Sequence, residues 1–268
     1  KITLPIRYWD HGPTRKISTT DENGRTIEVA YFSCVKITGL SKHYPLPLVY
    51  SYKNKRLYLP LREKFMSLDR GTVYETGNMN YEIEHIPLGK TCDVPMFYFV
   101  YNMANYYHFV YDTLPYLYSY FNEKNIHPDM KLLVSPPEGQ DDLYPFVWDS
   151  LAMLGITKKD VVFLDTDVMY NSVCISSSLT HNGLSNCPPH KGVFDIVNRM
   201  KSDYVGPEKI YISRRTWLNG DTSNIGTNYT ERRKCVNEDE VAEMFISQGF
   251  KEVFCENLTM EEKVGMFR

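Results

Sequence analysis

Apolar residues recur at two different periods along this chain. Through roughly the first hundred residues, β-branched and aromatic residues fall in short runs punctuated by turn sequences such as Glu22-Asn23-Gly24 and Asp69-Arg70-Gly71. That pattern predicts short strands and hairpins. From about Asn105 the period lengthens, and Tyr106, Phe109, Val110, Thr113, Leu114, Leu117, Tyr118 and Phe121 recur at helical spacing. Pro115 lies inside this helix and, having no amide donor, predicts a bend.

Beyond it, strands are expected at Lys131 to Val134, Val161 to Leu164 and Val173 to Ser176, with a helix from Tyr144 to Leu154 ended by Gly155. This alternation predicts a parallel sheet with crossover helices. A loop rich in Asn, Gly, Ser and Pro follows from Thr180 to Gly192, then a helix from Phe194 to Ser202. Val205-Gly206-Pro207 reads as a linker, dividing an N-terminal domain at 1–206 from a C-terminal one at 207–268. In the second part, Lys209 to Ser213 and Lys251 to Cys255 read as strands. Between them, Asn237 is placed as the N-cap of a helix that Gly249 ends, and Met260 to Phe267 begins another.

A chain of 268 residues can bury a substantial core. A formal net charge of -3 gives no global attraction to nucleic acid or anionic lipid, so any anion site must be local. The 21 tyrosines matter more, because each offers a flat apolar face with a polar tip, the complement of a sugar ring. The six cysteines include no C-x-x-C pair, which leaves a zinc knuckle or dithiol site unsupported. The sequons at Asn228 and Asn257 read as chance matches. The stretch from Val94 to Phe121 is interrupted by Asn102, Asn105, His108 and Asp112 and does not read as a membrane span. The first residues lack the long apolar run of a targeting segment. A cytoplasmic location is therefore expected, or a secretory lumen if an N-terminal anchor has been removed.

Two constellations carry chemistry. His108 and Asp112 stand four apart on the predicted helix and share a face, where the carboxylate could orient the imidazole as a general base. The bland counterpart is a His-Asp bond that anchors a helix. The second is Ser213-Arg214-Arg215 at a strand end, with Arg232-Arg233 and the acidic run Asn237-Glu238-Asp239-Glu240 beyond. Arginine forks at the carboxyl edge of a sheet suit a diphosphate. A solvated basic loop paired with the acidic helix start weighs equally.

Asn105-Tyr106-Tyr107-His108-Phe109-Val110-Tyr111-Asp112-Thr113-Leu114-Pro115 resembles the Asn-aromatic-x-His-aromatic-x-x-Asp-x-Leu-Pro motif of glycosyltransferase family 61. The later order of Tyr-Ile-Ser-Arg, an Arg-bearing loop, Asn-Glu-Asp-Glu and Gly249-Phe250 is similar to that family too. The resemblance covers roughly Met96 to Phe267. It implies an α/β protein of the GT-B type, with two facing Rossmann-like domains, and an inverting enzyme that uses a UDP-sugar without a required metal. Xylose is the sugar expected by family habit, and an oligosaccharide or glycoprotein glycan is the expected acceptor. His108 is then the base and Asp112 its partner. Ser213, Arg214, Arg215 and one of Arg232 or Arg233 would bind the donor, while Asn105, Tyr106 and His181 would border the acceptor. Family members continue past the helix at Met260 to Phe267 into a further strand and a glycine-rich turn, so the C-terminal domain is expected to be short here.

Three rivals stand against this reading. Asp165-Thr166-Asp167, after an apolar strand, resembles the Mn²⁺ motif of single-domain glycosyltransferases, with a turn as its bland counterpart. A non-catalytic carbohydrate-binding protein would use the tyrosines alone. A glycoside hydrolase would need two facing carboxylates, which no pattern identifies. His181 and His190 are expected as loop residues, Trp148 as core, Trp217 as a platform or interface plug, and Met153, Met200 and Met244 as packing residues.

Overall fold

Thirteen strands and six α-helices are placed in the computed structural model, which describes residues 2–8, 15–39, 47–51, 56–59, 80–83, 89–137, 139–180, 188–215 and 235–267. The strands are β1 (Ile2–Tyr8), β2 (Arg15–Thr20), β3 (Thr26–Gly39), β4 (Pro47–Ser51), β5 (Arg56–Leu59), β6 (Asn80–Ile83), β7 (Lys90–Cys92), β8 (Met96–Tyr98), β9 (Lys131–Val134), β10 (Val161–Phe163), β11 (Val168–Ser176), β12 (Ile210–Ile212) and β13 (Lys251–Val253). The helices are α1 (Tyr106–His108), α2 (Leu117–Ile126), α3 (Pro145–Met153), α4 (Gly192–Arg199), α5 (Glu238–Ser247) and α6 (Met260–Met266).

One large mixed sheet runs β10-β9-β8-β11-β3-β4-β5-β1-β6, with β2 also on β3 and β7 also on β11. Its first part is parallel, as the alternating pattern predicts: β8 pairs β9, β9 pairs β10 and β8 pairs β11, all in parallel. β3 then pairs β11 antiparallel, from Tyr170 against Val35 to Ser176 against Val29, and beyond β11 the remaining pairs are antiparallel except β1 with β5, which is parallel. The β2–β3 hairpin closes at the predicted Glu22-Asn23-Gly24 turn. There Asp21 Oδ1 accepts from the amides of Asn23 and Arg25 at 2.9 and 2.8 Å, and Gly24 takes φ 76°.

The core gathers where the parallel strands meet the helices. Met96 to Val100 are all buried, as befits a central strand covered on both faces. Phe97 meets Tyr120 edge-on, Phe109 meets Phe146, and Tyr101 stacks on Tyr116 with centroids 4.0 Å apart. The expected long helix is not uniform. After α1 it widens into a π-turn at Phe109–Thr113, tightens into a 3-10 turn at Leu114–Tyr116 and resumes as α2. Pro115 sits in the 3-10 turn, where its missing donor breaks the α-helical ladder.

The second part is a βαβ unit, with β12 and β13 paired in parallel and α5 between them, and α6 follows. The sequence places all four elements to within a few residues, and Gly249 takes the left-handed turn after α5 at φ 83°. Asn237 holds the N-cap position, but its side chain makes no capping bond. Met244, expected to pack, is 54% exposed. α6 joins this unit to the large sheet by packing on α3, and its Met260 enters the main core.

His190 corrects the expectation of a loop histidine. It is buried, its Nδ1 accepts from the Gly192 amide at 3.0 Å, and its ring lies 5.4 Å from that of Tyr118. Burial lowers its pKa, with Asp21 opposing the shift. Gly192 is placed just as tightly, since a Cβ there would fall inside the contact distance of the Tyr118 ring and of Leu179. Gly192→Ala is therefore expected to destabilise the protein by about 1–3 kcal/mol, read from its urea midpoint. An unchanged midpoint would mean that the α2–α4 contact yields freely.

Candidate active site

β8 is a point at which the chain switches direction across the sheet. From it the path runs one way through the helical segment to β9 and then through α3 to β10, while β11 lies on its other edge. In open parallel sheets, ligands settle outside the carboxyl ends of strands at such a point. The carboxyl end of β8 leads into Asn102 to Asp112, and that of β11 leads into Ser177 to Thr180.

Local hydrogen bonds build this corner from the backbone upward. Asn102 Oδ1 accepts from the amides of Ala104 and Asn105, each at 3.1 Å, and its carbonyl accepts from Thr113 Oγ1 at 2.9 Å. Asn105, in extended conformation, is the N-cap of α1, its Oδ1 accepting from the amide of His108 at 3.2 Å. The residue expected to border the acceptor pocket thus positions His108 directly.

His108 Nδ1 lies 2.7 Å from Asp112 Oδ2, and the two side chains are 34% and 20% exposed. An ionised carboxylate only accepts, so Nδ1 carries the proton and Nε2 keeps its lone pair in the neutral ring. Among the described residues, Nε2 has no hydrogen-bond partner. Thr180 Oγ1 donates to Asp112 Oδ1 at 3.5 Å and is itself placed by Ser178, whose Oγ accepts the Thr180 amide at 3.1 Å. The π-turn carries this pair, and such turns gather at functional sites. Two exposed rings stand beside it: Tyr107 makes an edge contact with His108 at 5.3 Å and stacks on Tyr111 at 5.7 Å.

The arginine site lies at the carboxyl end of β12. Ser213 is buried, its amide donating to Val253 and its Oγ accepting from the Arg215 amide at 3.1 Å, so it shapes the turn. Arg215 directs its fork at carboxylates, with Nε and Nη2 on Glu252 at 2.8 and 2.5 Å and Nη1 on Asp239 at 3.0 Å. For this residue the acid-paired reading describes the contacts. Arg214 is exposed, and its amide donates to Glu238 Oε1 at 2.5 Å. Glu238 is buried at the start of α5, and among the described residues its Oε2 has no hydrogen-bond partner. A carboxylate therefore already occupies the positive end of that helix. Arg232, Arg233, His181 and Trp217 lie outside the described residues.

The sequence profile of the glycosyltransferase 61 family matches residues 106–268, more than half of the chain. The chain belongs to glycosyltransferase family 61. No curated protein and no solved structure gives a match. Membership of family 61 means transfer of a sugar from a donor to a glycan acceptor. Among the described residues, no helix is long and apolar enough to cross a membrane.

Within this family 61 chain, Tyr106 ties the segment that carries His108 to α6. Its hydroxyl meets Met260 Sδ at 3.5 Å, its ring packs edge-on against Phe146, and Lys263 Nζ lies 4.6 Å over it. Burial, with Cys255 adding to it, pushes the hydroxyl up to about 12, and burial also lowers the pKa of Lys263. Tyr106, expected to border the acceptor, also packs on α6. Asp165 Oδ1 accepts from the Asp167 amide at 2.8 Å, and the Asp165 amide donates to Tyr170 Oη at 3.0 Å, the geometry of a self-capped turn.

Sequence reasoning missed Asn102, Thr180, Tyr107 and Tyr111 as members of the site. The spacing of Asn102 and Asn105, an Asx turn ahead of a capped helix, is a signal that could have found the first. Thr180 joins from the segment after β11, and no local pattern announces it.

Hydrogen bonds from Arg215, opposed by burial and aided by Ser213, hold Glu252 below its ordinary value. Stability from a carboxyl lowered on folding is present above the ordinary carboxylate range and lost as pH falls through the lowered value. Glu252→Gln is expected to reduce the urea midpoint at neutral pH and to flatten part of its decline in acid. An acid limb identical to that of the wild type would locate the sensitivity in other carboxylates.

Proposed function

We propose that this family 61 protein is an inverting, metal-independent glycosyltransferase that moves a sugar, xylose by preference, from a UDP-sugar to a hydroxyl of a glycan. The observation that carries the reading is the His108–Asp112 pair at 2.7 Å, outside the carboxyl ends of β8 and β11. Asp112 holds the imidazole in the tautomer that leaves Nε2 as base. Nε2 takes the acceptor's hydroxyl proton, and the acceptor oxygen forms a bond to the anomeric carbon from the face opposite the nucleotide. The bond from that carbon to the diphosphate oxygen breaks, and its electron pair leaves with UDP.

The leaving group gains negative charge in the transition state, and a preorganised cation there lowers the barrier. Arg214, exposed beside the carboxyl end of β12, is the residue for this role, with one of Arg232 or Arg233. Since Glu238 occupies the start of α5, the diphosphate depends on arginine side chains more than on that helix end. On this reading residues 1–206 carry the base and acceptor, residues 207–268 carry the donor, and the two parts face each other in the GT-B manner.

Two measurements test the reading. Calorimetry with UDP, in EDTA and in Mn²⁺, is expected to show metal-independent binding that Arg214→Ala weakens at least tenfold, about 1.4 kcal/mol. Binding that needs Mn²⁺ and survives the substitution would move the donor to Asp165 and Asp167, and no UDP binding would remove UDP-sugar as the donor. His108→Ala should keep UDP affinity and lower the transfer rate by about 10²–10⁴, the usual worth of a general base. Transfer at the wild-type rate would exclude His108 as the base.

A further inference from the structure

Tyr107 is 62% exposed and Tyr111 36% exposed, so two large aromatic rings face solvent one residue before His108 and one before Asp112. Their planes lie 18° apart with centroids 5.7 Å apart, and the Tyr107 ring stands at 72° to the imidazole at 5.3 Å. We propose that this pair is the platform on which one pyranose ring of the acceptor lies, an assignment that rests on the transferase reading.

The chemistry of the rings supports a sugar as the occupant. A pyranose with equatorial hydroxyls presents two faces of C–H bonds, whose partial positive charge matches the negative face of an aromatic ring. Its hydroxyls project from the rim, where they stay in water or reach a polar neighbour. A tyrosine suits this use because its ring contacts the sugar while its hydroxyl remains hydrated. Stacking on Tyr111 fixes the orientation of the more exposed Tyr107 ring, whose outer face meets the sugar.

Position decides which sugar. Tyr107 and Tyr111 keep step with His108 and Asp112 along the same turns, so a ring on the platform holds its rim hydroxyls beside the imidazole. That is where an acceptor hydroxyl must be for Nε2 to take its proton. The platform then selects which hydroxyl is glycosylated. Helix stability does not require the pair, because the segment is already held by the Asn105 cap and by buried Phe109, Leu114 and Leu117.

The test places 3-fluorotyrosine at position 107 of the full chain and follows its ¹⁹F signal against methyl β-D-xylopyranoside, methyl β-D-glucopyranoside and xylitol. A saturable shift is expected with one or both pyranosides and none with xylitol, which has hydroxyls but no ring face. Tyr111→Ala should weaken that binding roughly five- to tenfold, and Tyr111→Phe should restore it. No shift with either pyranoside, an equal shift with xylitol, or indifference to Tyr111→Ala would overturn the assignment. A shift with UDP-xylose but not with the pyranosides would give the platform to the donor and overturn it as well. UDP calorimetry on the same protein keeps the two ideas apart, because absent UDP binding removes the UDP-sugar donor of the proposed function whatever the fluorine signal does.

Discussion

Strand Met96–Tyr98 has a parallel neighbour on each edge, β9 and β11, and all three of its side chains are buried. Such a strand can be left only at its carboxyl end, and the chain that leaves it must begin a helix over the sheet. The Asn102 turn and the Asn105 cap make that exit sharp, and the cap ends on the amide of His108 itself. The His108–Asp112 geometry and the core packing are therefore settled by one local structure. Phe109 and Leu114 face inward and pin the same turns that carry His108 and Asp112 outward.

The arginine-bearing end of β12 is held by a different arrangement of charge. Arg215 and Glu252 satisfy each other at the carboxyl ends of β12 and β13, and Asp239 adds a further contact from α5. With Glu238 holding its amide, Arg214 keeps an exposed side chain on a constrained backbone. Adjacent arginines thus divide the work, one stitching the βαβ unit together and the other available to an anion. Tyr106 carries the mechanical link, since the residue that opens α1 also packs against Met260 and Lys263 of α6. Any shift of α6 is felt two residues from His108.

Periodicity and turn chemistry made much of this legible beforehand. The parallel strands, α3, α5, α6 and the hairpin at Glu22-Asn23-Gly24 all follow from patterns spanning fewer than about twenty residues. The His108–Asp112 spacing predicts a shared face, and the 2.7 Å contact realises it. The π-turn between them was not legible, because a single widened turn inside a helix carries no residue pattern of its own. His190 was misjudged for a related reason: a polar residue in a Gly/Ser/Pro-rich stretch reads as surface until a distant hairpin covers it.

The sequence by itself determined the α/β class, the family, the His108–Asp112 pair and the cation-bearing strand end, because each depends on residues close together in the chain. Only the tertiary structure decided that Thr180 supports Asp112 and that Tyr106 belongs to the α6 contact. It alone separated Arg215, bound to Glu252, from Arg214, left exposed. These outcomes depend on which strands become neighbours and which carboxylates reach which cations. Pairings of that kind are chosen by the whole core as it closes, and no local pattern encodes them.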